Sequence, residues 1–112
     1  MNHPLRGTLF ENFIIAEYQK LYFHRGRQPE CYFWRDKTGH EIDCLFTGGN
    51  RLLPLEIKSG MTVADDFFKG IRYFNKLRGG NDGYVIYGGT EPQYRTEATV
   101  LGWKDFGKIV LS

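Results

Sequence analysis

The sequence predicts a single α/β domain spanning residues 1–112, a mixed sheet flanked by helices, with element order α-β-β-β-α-β. Three observations predict it. An amphipathic stretch runs from Gly7 to Phe23, two alternating stretches meet at a glycine-rich turn, and a second helical stripe leads into a short apolar strand. A helix that joins two strands implies a parallel crossover between them, so the sheet is expected to be mixed.

The first helix places Phe10, Phe13, Ile14, Glu17, Tyr18 and Leu21 at helical spacing, with Ile15 and Tyr22 widening the apolar arc. Thr8 with Glu11 three residues later has the form of a capping box, which gives Glu11 a structural role at the helix start. Cys31 to Asp36 reads as a strand, and Lys37-Thr38-Gly39 as a turn. Glu41-Ile-Asp-Cys-Leu-Phe46 and Arg51-Leu-Leu-Pro-Leu-Glu-Ile-Lys58 form an antiparallel hairpin. On the first of these strands Ile42, Cys44 and Phe46 are expected on one face, with Glu41 and Asp43 on the other. On the second, Leu53, Leu55 and Ile57 face the core opposite Glu56 and Lys58.

Asp65 or Asp66 starts a second helix that ends near Leu77, before Gly79-Gly80. Its core stripe is Phe67, Ile71 and Phe74, with Phe68 and Tyr73 at the margins. Gly83 to Gly88 is a short buried strand, Ala98 to Leu101 another, and Phe106 to Leu111 a closing element.

The hairpin register decides the chemistry. A tight connection sets Glu41 across from Glu56 with Asp43 diagonal, whereas a six-residue connection sets Asp43 directly opposite Glu56. In either register the acids are neighbours on one face. Carboxylates that close repel unless a positive charge intervenes. Lys58 supplies one positive charge, and a divalent cation would supply two. Mg²⁺ suits such a pair because it takes oxygen ligands and keeps several waters. The ordinary alternative for an acid-x-Lys strand face is a solvated ion pair.

Gly7-x-x-x-Glu11, Trp34-Arg35 with Gly39-x-Glu41-x-Asp43, and Pro54-x-Glu56-x-Lys58 together resemble a prokaryotic domain of otherwise unknown function. That domain forms the C-terminal part of AAA+-type ATPases and is similar to the PD-(D/E)xK nuclease superfamily. The resemblance covers about residues 5–90 and implies an αβββαβ restriction-endonuclease-like core. The family's acidic and lysine positions fall on Glu11, Asp43, Glu56 and Lys58. The activity implied is metal-dependent hydrolysis of nucleic-acid phosphodiester bonds, with DNA the preferred substrate over RNA. Asp43 and Glu56 would hold Mg²⁺ or Mn²⁺, with the Ile57 carbonyl as a further ligand and Glu11 completing the set. Lys58 would position the attacking water, and Glu41 would be an outer neighbour. The resemblance also implies an ATPase module in the same natural chain. No Gly-x-x-x-x-Gly-Lys-Ser/Thr loop occurs in these residues, so they are expected to be either a stand-alone copy or, by preference, a domain excised from such a chain. The competing reading is a non-catalytic module that binds nucleic acid or docks partners for that ATPase. A third is a structural domain with a surface ion-pair cluster.

Composition narrows the partners. Fifteen basic and thirteen acidic residues leave a net charge of +2, so no broad basic surface is expected and any hold on phosphates is local. The candidates are Arg25, Arg27, Arg35, Lys37, Lys69, Arg72, Lys76 and Arg78. Aromatic residues are 16% of the chain, enough that a partner, another copy or a further domain is expected to cover some of them. The first residues lack a signal-peptide run and no stretch approaches about 18 apolar residues, so the expected location is the cytoplasm, without membrane contact. Cys31 and Cys44 are then expected as reduced core residues. His3, His24 and His40 have no accompanying pattern and are expected at the surface.

Overall fold

The computed structural model describes residues 4–24, 31–48 and 51–105; the side chains of residues 4–8, 21–24, 31, 46–48 and 51 are outside that description. The expected closing element at Phe106 to Leu111 lies outside it too, as do Arg25, Arg27 and His3. Helix α1 (Pro4–His24) leads into strands β1 (Cys31–Arg35), β2 (Glu41–Gly48) and β3 (Arg51–Lys58). A 3₁₀ turn (Asp65–Phe68) then precedes α2 (Lys69–Arg78), followed by β4 (Tyr84–Tyr87), β5 (Gln93–Tyr94) and β6 (Thr99–Gly102). The six strands form one mixed sheet in the order β1-β2-β3-β4-β6-β5. The crossover through α2 makes β3 and β4 parallel, as the sequence predicts, and β6 joins β4 in parallel.

The helices lie on opposite faces. Ile14 and Tyr18 of α1 share a core with Cys44, Leu53, Leu55, Ile57, Ile86 and Leu101. Phe68, Ile71 and Phe74 share the other with Ile42, Leu45, Val85, Tyr87, Ala98 and Val100. Adjacent residues of β4, Val85 and Ile86, thus enter different cores, which is the period-two alternation of a strand buried on both sides.

Four departures from the sequence reading matter for the site. First, α1 begins at Pro4, with no acidic residue in its first turn. Proline is well suited to a first helical position because its missing N–H would have no partner there. Thr8 and Glu11 are therefore inside the helix and make no capping box. Second, β2 does not keep one face throughout. Tyr32 pairs with Leu45 but Trp34 with Ile42, so Phe33 alone stands against Asp43 and Cys44. This β-bulge resets the alternation, sending Ile42 into the α2 core and Cys44 into the α1 core. Third, Gly48 pairs with Arg51 and Cys44 with Leu55. Extending that register puts Asp43 level with Glu56, the pairing expected of a six-residue connection, yet the strands reach it by continuing through Thr47 and Gly48. Fourth, the 3₁₀ turn shifts the phase of the helical stripe, so Phe68 is fully buried and Phe67 only partly so.

Phe13 also leaves the predicted core stripe. It is exposed, with its ring edge-on to Trp103 at 6.0 Å. Cys44 is buried and disulfide-bonded, which corrects the expectation of a reduced thiol; the chain's other cysteine, Cys31, stands on the adjacent strand β1. Among the described residues no helix is long and apolar enough to cross a membrane.

Candidate functional site

The backbone ladder between β2 and β3 ends at Cys44 and Leu55. Beyond it, two carboxylates take over the role of the missing ladder bonds. The amide of Ile57 donates to Asp43 Oδ2 at 2.8 Å, and the amide of Asp43 donates to Glu56 Oε1 at 3.0 Å. Each acid is thus clamped by the other strand's backbone, and the two strands fork around them. The bulge at Asp43 makes the fork, because an extra residue on one strand bends it and unpairs the ladder locally.

The third acid comes from α1. Glu11, in the helix interior, shares a side-chain hydrogen bond with Asp43. Lys58 closes the group, its Nζ 3.4 Å from Glu56 Oε2. Glu11, Asp43, Glu56 and Lys58 therefore meet at the fork. The route differs from the one predicted. Asp43 turns toward α1, whereas Glu56, buried to 5% exposure, lies under the first turn of α2. The two acids interlock through the sheet at its open end and do not share one exposed face.

Gly70 permits that burial. A β-carbon there would stand 2.5 Å from the Glu41 carbonyl oxygen and 3.6 Å from Glu56 Cδ, so the absence of a side chain lets α2 settle onto the fork. Glu41 is exposed at the rim. Around the acids opens a cavity of about 400 Å³, lined by Asp43, Glu56 and Lys58 together with His40, Lys69 and Gly70. Three of those six are not site residues in the sequence reading. It places His40 at the surface, counts Lys69 among eight phosphate candidates and passes over Gly70. Asp36-x-Thr38-x-His40 is the signal that flags His40, since Asp and Thr side chains build tight local turns through their own hydrogen bonds.

Electrostatics follow from this crowding. Burial, and then the charge of Asp43, push Glu56 up to about 7. Glu11 also rises to about 7, through burial, the Asp43 charge and the hydrogen bond it shares with Asp43. Asp43 is raised as well, by burial first, although the Ile57 amide and Lys58 oppose the shift. Three carboxyl groups beside one ammonium thus hold protons at pH values where free carboxylates have lost them. Among the described residues, no group of three or more His, Cys, Asp or Glu side chains forms a ready-made metal cage. Asp43 and Glu56 each keep one oxygen that no backbone amide occupies. Those two oxygens, beside Lys58 and Glu11, are the ones that could serve a hard divalent cation.

Two of the other phosphate candidates have acidic partners within the domain. Arg72 is bound to Glu97 at 2.6 Å and to Asp65 at 3.2 Å. Arg78 holds Asp82 at 2.6 Å and the Leu52 carbonyl at 2.6 Å, tying α2 to the sheet.

Comparison with the curated proteins and with the solved structures gives no significant match. A family model does match, over residues 6–106, and its description is "Domain of unknown function (DUF4143)". The match spans the helix, the forked hairpin and the crossover, so the chain belongs to the DUF4143 family.

Proposed function

We propose that the domain is a metal-dependent phosphodiesterase acting on nucleic acid, with a restriction-endonuclease-like core of the PD-(D/E)xK type, in the prokaryotic cytoplasm. The convergence of Glu11, Asp43, Glu56 and Lys58 at the strand fork carries this reading. Asp43 and Glu56 would hold Mg²⁺ or Mn²⁺ through the oxygens they do not give to backbone amides, with the Ile57 carbonyl as a further donor. The bound ion supplies charge neutralisation among the acids and polarises the scissile phosphoryl group. Lys58 orients the attacking water against the phosphate. Glu11, which shares a proton with Asp43, takes up or releases that proton as the charge in the cavity changes. Lys69 at the rim gives a phosphate oxygen a local positive partner. DNA is favoured over RNA as substrate. The resemblance supplies the expected context, an AAA+-type ATPase module in the same natural chain.

Calorimetric titration with Mn²⁺ is expected to show binding to the wild type and none to Asp43→Ala. Single-stranded, duplex or branched DNA is expected to be cleaved in a Mg²⁺-dependent manner, and the cleavage to disappear in Lys58→Ala. Cleavage unchanged in Lys58→Ala would remove the catalytic assignment. A second reading, a non-catalytic module that binds nucleic acid or docks a partner, is favoured by one observation. Asp43 and Glu56 already serve as substitutes for ladder bonds, which is a structural role in itself. Nucleic-acid binding that is identical in Asp43→Ala and wild type, without Mn²⁺ uptake by either, would select it. The disulfide at Cys44 is unusual for a cytoplasmic protein, and titration of free thiols in the native protein tests that placement.

A further inference from the structure

One residue lining the cavity, His40, ends a ladder of rings that the acid chemistry does not use. His40 stacks face to face on Tyr73, ring centroids 3.6 Å apart and planes within 2°. Tyr73 in turn lies against Trp34 at 6.4 Å, and Trp34 meets Phe74 edge-on at 5.1 Å. The ladder therefore runs from the α2 core out to the cavity, and His40 is its last ring.

The loop beneath fixes that ring. Asp36 accepts the amides of Thr38 and His40 at 3.0 and 2.9 Å, the Thr38 hydroxyl, and a hydrogen bond from Tyr73. Thr38 Oγ1 lies 2.7 Å from His40 Nδ1. One face of the imidazole is covered by Tyr73, yet the side chain remains 39% exposed and lines the cavity beside Asp43, Glu56 and Lys58. A planar ring held by its turn, partly exposed and beside the acid pocket, has the makings of a stacking platform.

We infer that His40 stacks on a nucleobase whose adjoining phosphate enters the acid pocket, so that the substrate is an unpaired nucleotide: a single strand, an end or a splayed base. The inference rests on the nucleic-acid reading above and adds the substrate class to it. A base inside a duplex has both faces covered by its neighbours and must leave the stack before a protein ring can reach it. A cavity of about 400 Å³ has the size for one small ligand such as a single splayed nucleotide. Stacking on an aromatic side chain is tolerant of base identity, so little sequence preference is expected.

A single-stranded DNA oligonucleotide carrying 2-aminopurine tests this, with Ca²⁺ replacing Mg²⁺ to prevent cutting. The wild type is expected to quench its fluorescence on binding. His40→Ala is expected to lose the quenching and about tenfold in affinity. His40→Phe keeps a planar ring without ring nitrogens and is expected to retain both, which separates stacking from proton transfer. Urea midpoints of the two variants confirm that the turn still folds. The same oligonucleotide in a duplex is expected to show neither effect. Absence of quenching by the wild type, His40→Ala behaving as wild type, or equal quenching in the duplex overturns the inference. Quenching without any Mg²⁺-dependent cleavage would leave the platform standing and remove the nuclease reading. Cleavage without quenching would do the reverse.

Discussion

Asp36 and Glu56 lie at the two ends of the same structural problem and are driven in opposite directions. Both accept backbone amides, and both pin a connection next to β2. Asp36, at the tip of the β1–β2 hairpin, feels an upward pull from partial desolvation, but hydrogen bonds from Tyr73, Thr38 and His40 hold it at about 2. Glu56 has one amide and one ammonium against burial and a neighbouring carboxylate, and it sits at about 7. Donors that converge on an isolated carboxylate stabilise its charge, whereas burial with a second carboxylate alongside outweighs one amide and one ammonium. The hairpin tip is an acid used as scaffold, and the fork is a set of acids kept under tension for something else.

The sharpest way to break that contrast is to remove Glu56. Glu56→Ala leaves the Asp43 amide without its partner in a buried place, and a loss of roughly 2–4 kcal/mol in urea unfolding is expected. Glu56→Gln keeps a carbonyl acceptor and removes the charge. It is expected to be as stable as wild type at pH 8, or more so, while losing Mn²⁺ binding. Equal destabilisation by both variants would show that the charge, not the hydrogen bond, holds the fork.

Gly70→Ala comes next, with an expected cost of about 1–3 kcal/mol, because the new methyl group collides with the Glu41 carbonyl. Full stability in that variant would mean that α2 does not press on the fork as described.

The pH dependence sharpens the comparison further. Glu56 and Glu11 have folded values near 7, above the ordinary 4.5, so the folded state binds more protons than the unfolded chain between those limits. Their contribution to stability is therefore greatest below about 4.5 and declines as pH rises through 7. For buried Glu56 the decline is roughly 2–3 kcal/mol, and Glu56→Gln is expected to flatten it. A denaturation midpoint that rises from pH 5 to 8 in metal-free buffer would contradict the assignment. Asp36 has the opposite sign: its contribution is present above the ordinary 3.8 and is lost as pH falls toward 2. The smallest effect is thus reserved for Asp36→Asn, which at neutral pH is expected to speed hydrogen exchange at the Thr38 and His40 amides and leave Glu56 titration unchanged.

Much of this is legible in the sequence. Helical spacing locates both helices, and alternation locates the hairpin, because those patterns report burial directly. The four residues of the candidate site stand out by their motifs before any geometry is known. What escapes is phase. A bulge at Asp43 and a 3₁₀ turn before α2 each shift a pattern by one position, and no local preference in Asp43-Cys44 or Phe67-Phe68 announces it. The proline at position 4 is a better helix start than Thr8, whose spacing makes Glu11 look like a cap. Gly70 and His40 owe their importance to what stands opposite them in space, and strand β5, a pair of residues, is too short for periodicity to reveal.

The fork has a mechanical corollary. Ile57 and Asp43 have no β2–β3 ladder partner for their amides at that point except the carboxylates themselves. Anything that draws those oxygens away must also supply the amides with new acceptors, or let the hairpin unzip toward Cys44. An occupant held only by the other two oxygens leaves the amides covered, so undiminished amide protection at Ile57 would report a fork that stays closed around it.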